Sequence, residues 1–158
     1  MSDADRPGPR AMATPFKHVH HVCIVVRDIE KTAAYYTSLG IGPWEEMSLK
    51  AYADCQIPNP EGFFGLRFKR ADIGAMQLQL CQPGSGDSPE KRFLDERGEG
   101  VFHIGFEVEN IDAAHARAVE MQLPIDSYGR RADRTGFTYL GNAADAGVVL
   151  VLREALKS

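Results

Sequence analysis

Three polar side chains that could bind a metal or transfer a proton lie within predicted β-strands: His21, Gln79 and His103. The two histidines are 82 residues apart, and each begins a run of the same pattern, residues 21–30 and 103–112. Two neutral imidazoles and an amide oxygen form a borderline ligand set for a divalent first-row metal. An imidazole can also act as a general acid or base. A single strand histidine is more often structural, but two at equivalent points of a repeat indicate a shared role.

The repeat predicts which elements hold these residues. Each run starts with five residues that suit a β-strand and then reaches Asp28 or Asn110, which are good helix N-cap residues. Helical patterns follow over residues 29–39 and 111–121, and about three strands follow each helix. A half of this kind cannot bury its sheet alone and tends to pair with its twin. The sequence therefore predicts an α+β fold of two equivalent halves. Residues 83–98 join them and include a short helix capped by Ser88.

Side chains alternate between the two faces of a strand, so each strand can be divided into an apolar and a polar face. Gln79 shares its face with Gln77 and Cys81, while the opposite face of that strand is apolar. His21 shares its face with Cys23 and Val25, and His103 shares its face with Gly105 and Glu107. If the sheet curls into a cup with the polar faces inside, His21, Gln79 and His103 converge there.

The sequence resembles the vicinal oxygen chelate superfamily, which has the glyoxalase and bleomycin-resistance fold, and within it the methylmalonyl-CoA epimerases and their glyoxalase-like relatives. The stretches that carry the resemblance are HHVCIVVRDIEK (20–31), GIGPW (40–44), QLCQP (79–83) and GEGVFHIGFEV (98–108). The resemblance implies two βαβββ modules that form a cup around a divalent metal. It places module one at about residues 16–82, the linker helix at about 83–98 and module two at about 99–158. Residues 1–15 are predicted to form a flexible tail.

The resemblance also implies which residues bind the metal. Carried over position by position, the ligands are His21, Gln79 and His103, and the ion would be Co, Ni, Mn, Zn or Fe. The last strand of module two usually ends in a fourth ligand, a glutamate, but this sequence has Val151 there. A neutral set of three ligands leaves the charge of the ion uncompensated. Glu107, on the same strand face as His103, is a candidate for supplying the missing charge.

The implied activity is that of a small enzyme acting on an enolisable carbonyl compound or acyl thioester, of the epimerase, isomerase or lyase type. A metal would polarise the carbonyl oxygen, and carboxylates would move the α-proton. Glu61 and Glu107 are the candidate acid–base residues, although the alignment places Phe63 nearer the expected base. The alternatives are a metal-free small-molecule binding protein, which Val151 favours, and a metal-free enzyme that uses Glu107 or a histidine as acid and base.

Several other groups allow two interpretations. The aromatic residues of both halves could form core or an apolar pocket for an acyl or aromatic group. Two basic clusters, residues 67–70 and 130–134, could meet a phosphate or carboxylate, or could form exposed edges. His20, like His18 and His115, has no partner in the repeat and is expected to be structural.

Composition excludes several classes of function. The chain has 158 residues, a formal net charge of −4 and 44% apolar residues. The acidic balance argues against a nucleic-acid binder, and no apolar run approaches the roughly 20 residues of a membrane helix. The polar N-terminus does not resemble a secretory signal, and three cysteines without a CxxC spacing suit a reducing compartment with buried thiols. We therefore expect a cytoplasmic protein with a small-molecule substrate, and a homodimer by resemblance.

Overall fold

The two histidine-bearing runs form equivalent halves of one sheet in the computed structural model, which describes residues 14–49 and 52–157. The strands of the described residues are β1 (His18–Val25), β2 (Glu45–Met47), β3 (Asp54–Gln56), β4 (Arg67–Ile73), β5 (Met76–Gln82), β6 (Gly100–Glu107), β7 (Ile125–Arg130), β8 (Gly136–Leu140) and β9 (Val149–Glu154). The helices are α1 (Ile29–Ser38), α2 (Pro60–Phe64), α3 (Pro89–Arg97), α4 (Ile111–Glu120) and α5 (Ala143–Ala146).

The order of the strands confirms the predicted α+β fold of two modules. The sheet runs β2-β4-β5-β1-β6-β9-β8-β7-β3. Module one supplies β2-β4-β5-β1 and module two supplies β7-β8-β9-β6, which is the same order mirrored about the antiparallel β1–β6 pair. In both modules the histidine strand pairs in parallel with the last strand, β1 with β5 and β6 with β9. His21 and His103 therefore lie on the two central strands of the sheet.

The predicted helix caps are present. The Asp28 side chain accepts a hydrogen bond from the backbone N–H of Lys31, and Asn110 does the same for Ala113. Such contacts satisfy backbone donors that the first turn of a helix leaves unpaired. Helices α1 and α4 pack over the outer face of the sheet, where α1 covers Leu80 and α4 covers Leu152.

A third apolar cluster lies on the inner face of the sheet. Its buried members are Cys23, Val25, Phe63, Leu66, Phe68, Cys81, Leu94, Phe102, Phe137 and Val151. They come from both modules and from helices α2 and α3. The outer helices and the inner cluster together fix the curvature of the sheet around the polar residues of its concave face.

Strand β1 has an irregularity that the alternation rule does not anticipate. Its pairing with β6 runs from Val19 opposite Phe106 directly to His21 opposite Gly105, so His20 is an extra residue without an opposite partner. A β-bulge of this kind bends the strand and re-aims the side chains beside it. As a result, His20 and His21 come into contact although they are neighbours in sequence.

Three short elements were not predicted from the sequence. Strand β3 belongs to the first half of the chain but pairs with β7 at the far edge of module two. Helices α2 and α5 have five and four residues, too few to give a periodic signal.

The tail predicted at residues 1–15 lies outside the described residues except for its last two positions. Cys23 and Cys81 are buried as expected, whereas Cys55 is exposed. None of the helices in the described part of the chain is long and apolar enough to cross a membrane.

Candidate active site

The concave face carries an open cavity. Its lining resembles that of small-molecule sites, which are mostly apolar with a few placed polar groups. Its apolar wall consists of Met47, Leu49, Tyr52, Phe63, Phe68, Phe137, Tyr139 and Val151. Its polar residues include His21, Gln79 and His103, so the three predicted ligands do meet in one cup. The aromatic residues thus form both the inner core and the wall of a pocket, and the two interpretations of them are compatible.

His21 and His103 are in direct contact at the floor of the cup. Their Nε2 atoms are 2.9 Å apart, and the side chains are only 4% and 2% exposed. Burial lowers the pKa of His21 to about 2, with a further contribution from His103, and lowers the pKa of His103 to about 3. Both imidazoles are therefore neutral at physiological pH. Gly105 makes room for this pair, because a Cβ atom at that position would overlap the His21 ring.

The histidine pair is one end of a chain of hydrogen bonds that leads out of the cup. His21 Nδ1 is 2.9 Å from His20 Nδ1, and His20 Nε2 is 2.9 Å from Nη1 of Arg153. The same Nη1 donates to Glu107 Oε1 at 2.6 Å. Burial, and next the charge of Arg153, lower the pKa of His20, so this imidazole is also neutral. The prediction that His20 is merely structural missed this connection.

The direction of each hydrogen bond in the chain follows from the chemistry of its members. A guanidinium has donors and no acceptor, so His20 Nε2 must accept from Arg153. A neutral imidazole has one N–H, so His20 donates through Nδ1 to His21, and His21 donates through Nε2 to His103. His103 then has its proton on Nδ1, which is buried without a hydrogen-bond partner among the described residues. Within the pair, the Nε2–H of His21 is thus the donor and Nε2 of His103 is the acceptor, and each satisfies the other.

The second-module counterpart of Gln79 is Val151. Gln79 lies opposite Cys23 in the β1–β5 register, and Val151 lies opposite Gly105, 82 residues after Cys23, in the β6–β9 register. This geometry supports the assignment of Val151 to the fourth ligand position, where its buried side chain offers no donor atom. Gln79 donates through Nε2 to Gln77 Oε1 at 2.8 Å, which holds its amide in place.

The predicted acid–base carboxylates do not line the cup. Glu61 is exposed on α2, and Glu107 lies outside the lining, where it is paired with Arg153, a lining residue. Glu154, at the end of β9, does reach the lining, but its Oε1 accepts the backbone N–H of Ile111 at 2.9 Å, at the start of α4. The titratable groups at the floor of the cup are the histidines.

One arginine of the second basic cluster faces the cup. Arg131 lines it, donates through Nη1 to Thr135 Oγ1 at 3.0 Å, and lies 5.7 Å from the centre of the Tyr52 ring. No carboxylate of the described residues forms an ion pair with it, whereas Arg130 is paired with Asp112. Arg134 pairs with Asp54 and Asp112, and the first basic cluster pairs with glutamates on the outer surface. Arg131 is therefore an oriented cation at the wall of the cup.

A buried carboxyl that the sequence did not point to lies behind the cup wall. Glu90, the second residue of α3, is 3% exposed and lines a second cavity that shares Phe63 and Tyr139 with the cup. Burial raises the pKa of Glu90 to about 7. Burial, and next the nearby Glu90, also raise the pKa of Tyr139 well above its usual value. A glutamate in the first turn of a helix looks like an ordinary solvent-exposed residue in sequence.

Residues 20–139 match the model of the glyoxalase/bleomycin resistance protein/dioxygenase superfamily, and this match covers most of the chain. The chain belongs to this superfamily. The structural comparisons below show that the overall fold is also shared with solved structures. This confirms the resemblance noted in the sequence.

Similar proteins within the glyoxalase superfamily include methylmalonyl-CoA epimerases. The mitochondrial methylmalonyl-CoA epimerase of Homo sapiens is 30% identical over 120 residues, which are 71% of this chain and 62% of the human protein. The structure of the Mycobacterium tuberculosis methylmalonyl-CoA epimerase superposes with a TM-score of 0.69 at 22% identity, covering 91% of both chains. A variant of the Streptomyces coelicolor methylmalonyl-CoA epimerase in complex with 2-nitronate-propionyl-CoA superposes with a TM-score of 0.67 at 25% identity, covering 90% of this chain and 99% of that one.

The superfamily resemblance implies a divalent ion, and the donor set can be tested against it. A spacing of 2.9 Å between two Nε2 atoms suits a pair of nitrogens each about 2.1 Å from one ion. However, the hydrogen-bond chain puts a proton on His21 Nε2, and Val151 supplies no charge. As hydrogen bonded here, the cup does not fit a divalent ion, and its chemistry rests on the imidazoles.

Proposed function

We propose that this protein is an enzyme that binds the acyl end of an acyl-CoA thioester in the cup and transfers the proton α to its carbonyl group. The observation that carries the proposal is the neutral, buried pair of His21 and His103, which presents one donor and one acceptor 2.9 Å apart. The similar epimerases, whose names and ligands include methylmalonyl-CoA and a propionyl-CoA analogue, support the choice of a thioester. The reaction would be of the epimerase, isomerase or lyase type, because each can begin with this proton transfer.

The pair divides the chemistry between its two members. Substrate binding replaces the hydrogen bond within the pair: the Nε2–H of His21 turns from His103 to the thioester oxygen, stabilises the negative charge that develops there, and so frees the Nε2 lone pair of His103. Nε2 of His103 accepts the α-proton, and the electrons of the C–H bond form the enolate. Burial lowers the pKa of His103 to about 3 before substrate binds, but an enolate beside the new imidazolium raises this pKa and favours the transfer. Apolar walls around the pair exclude water and strengthen both interactions.

The charge of the cup supports an anionic acyl group. Arg131 is oriented by Thr135 and Tyr52 and has no described carboxylate partner, while Arg153 is already neutralised by Glu107. An arginine fork binds a carboxylate through charge-assisted hydrogen bonds. We therefore propose that the substrate is a thioester with a free carboxylate on its acyl group, and that Arg131 holds this carboxylate.

The activity is tested by following hydrogen exchange at the α-carbon of methylmalonyl-CoA in D2O by NMR. The wild-type protein is expected to catalyse exchange, and His103→Gln to lose it by a factor of about 100 or more. His18→Gln is the matched control, because His18 is an exposed histidine on the same sheet. Exchange at the wild-type rate in His103→Gln would exclude this imidazole as the base.

The second candidate is a metal-free binding protein of the same fold, which Val151 and the aromatic wall favour. It predicts that the wild-type protein binds the thioester, measured by calorimetry, but causes no exchange. The homodimer and the cytoplasmic location stay predictions. Light scattering of the purified chain tests the first, and fluorescence microscopy of a tagged chain in its source cell tests the second.

A further inference from the structure

We infer that Arg153 is a positioning residue: through His20 it determines which nitrogen of His21 bears the proton, and so keeps the histidine pair in a form that transfers protons and does not bind metal. This inference rests on the proposed function, since it gives the pair its donor and its acceptor. Arg153 does not touch the pair itself, and its nearest link to it is His20 Nε2 at 2.9 Å.

The argument depends on the two directions that the chain of hydrogen bonds could take. In the direction that the Arg153 contact selects, protons lie on His20 Nδ1, His21 Nε2 and His103 Nδ1. In the opposite direction they lie on His20 Nε2, His21 Nδ1 and His103 Nε2. A metal bound at both Nε2 atoms of the pair also requires the proton of His21 on Nδ1, and hence that of His20 on Nε2. Arg153 forbids both of these alternatives, because its N–H would then face the N–H of His20.

Two features support the conclusion that Arg153 determines the direction of the hydrogen-bond chain. The direction that Arg153 selects leaves the N–H of His103 Nδ1 buried without a described partner, which is normally unfavourable. Without the arginine, the opposite direction would leave at that point a lone pair, which is tolerated better than an unpaired N–H. Glu107 fixes the arginine in turn, because it accepts from the same Nη1 at 2.6 Å and also from the backbone N–H of Ala155. Glu107 thus belongs to the site as the anchor of Arg153.

The bulge in β1 makes this connection possible. In regular alternation His20 would point to the opposite face of the sheet from His21. The extra residue in the β1–β6 pairing instead brings the two rings to a centroid distance of 5.1 Å in an edge-to-face arrangement. Arg153 lies on β9 directly opposite Glu107 of β6. The direction of the hydrogen-bond chain is therefore set by a pair of residues on β6 and β9, two neighbouring strands of module two.

The test compares Arg153→Gln with Arg153→Lys in protein labelled with 15N at histidine. Lysine has donors and no acceptor, so it preserves the direction that Arg153 selects, with the proton of His20 on Nδ1. The glutamine Oε1 can accept from His20 Nε2–H, which allows the opposite direction of the hydrogen-bond chain. The 15N shifts of protonated and unprotonated imidazole nitrogens are well separated. We expect the His21 proton on Nε2 in the wild type and in Arg153→Lys, and on Nδ1 in Arg153→Gln.

A second readout is the affinity for Co²⁺ or Zn²⁺, measured by calorimetry without substrate. Arg153→Gln is expected to bind about tenfold more tightly than the wild type, and Arg153→Lys like the wild type. A wild-type His21 protonated on Nδ1, or equal tautomers and equal metal affinity in the two variants, would overturn the inference. Neither measurement uses the thioester, so a negative result here is distinct from a failure of the proposed enzyme activity. The 15N spectrum of the wild type tests the predicted proton on His21 Nε2 even if a variant does not fold.

Discussion

The role proposed for Arg131 gives the sharpest prediction about the substrate. Arg131→Met keeps an unbranched apolar side chain and removes the guanidinium that lies over the Tyr52 ring, and with it the charge. The backbone contact from Arg131 N to Thr135 O, which closes the turn between β7 and β8, does not involve the side chain and should persist. The perturbation is therefore confined to the guanidinium that faces the cup.

The magnitude follows from the contact that is removed. A hydrogen bond to a charged group contributes about 1.5–3 kcal/mol, and every 1.4 kcal/mol is about a factor of ten in affinity. Arg131 is held by Thr135 Oγ1 at 3.0 Å and stacks over Tyr52, so little side-chain entropy is lost when the carboxylate binds. We expect Arg131→Met to weaken the binding of methylmalonyl-CoA by about 10- to 150-fold.

Two further ligands distinguish the acyl carboxylate from the phosphates of CoA as the anion that Arg131 binds. Propionyl-CoA has the phosphates without the carboxylate, and its affinity should change less than about twofold. Methylmalonyl-pantetheine has the carboxylate without the phosphates of CoA, and its affinity should fall as that of methylmalonyl-CoA does. Arg97→Met is the control, because Arg97 also lies over an aromatic ring, Phe93 at 5.9 Å, but on α3 outside the cup lining. An equal loss for both CoA ligands would refute the carboxylate contact, and unchanged affinity for all three would remove Arg131 from the site.

Three further predictions concern the floor and the wall of the cup. Gly105→Ala should displace the His21 ring, lower the free energy of unfolding by about 1–3 kcal/mol and abolish α-proton exchange. Gly100→Ala on the same strand is the control: its new Cβ meets Phe93 at an ordinary 3.8 Å, so stability and exchange should be unchanged. Because burial depresses the folded-state pKa of His21 and His103, the fold is most stable with respect to these groups above about pH 6.5 and loses stability as the pH falls towards 3. In this pH range the free energy of unfolding of His103→Gln, measured by chemical unfolding, should change with pH less steeply than that of the wild type, by roughly 1 kcal/mol per pH unit. The pH dependence that Glu90 gives to stability has the opposite sign, since its folded-state pKa is raised to about 7: the stabilisation by its protonated form is complete below about pH 4.5 and is lost as the pH rises through about 7. Glu90→Gln, which stays neutral, should therefore raise the free energy of unfolding by up to about 3 kcal/mol more at pH 8 than at pH 5. An equal effect at both pH values would contradict a buried, protonated Glu90.

The internal repeat made much of the fold predictable. Equivalent runs of residues required equivalent strands and helices, so the caps at Asp28 and Asn110 followed from pattern alone, whereas the central position of the two histidine strands needed the structure. The assignment of Val151 to the fourth ligand position came from the family resemblance, and the strand register supports it. Short elements such as β3 were missed, because three residues do not create a periodic signal and their place is decided by tertiary pairing.

The active chemistry of the cup was less predictable than its location. Strand alternation would place His20 and His21 on opposite faces, and the bulge that brings them together cannot be seen in a single sequence. The pairing of Glu107 with Arg153 required the register of β6 on β9, which the sequence alone does not fix. Glu107 could therefore be placed on its strand, while the partner of its carboxylate, Arg153, needed the structure.

Strand β9 shows how one fold can change the kind of charge that its cup accepts. At the position equivalent to Gln79 it has Val151, so the anionic group that would attract a divalent cation is absent. Two residues later it has Arg153, whose donors set the direction of the histidine chain and leave His21 with a proton where a metal would need a lone pair. Both residues act against a bound cation, and Arg131 on the opposite wall adds a positive charge with no described carboxylate partner. A cup with these properties stabilises negative charge, whether on a carboxylate or on an enolate, with the N–H groups of the protein itself.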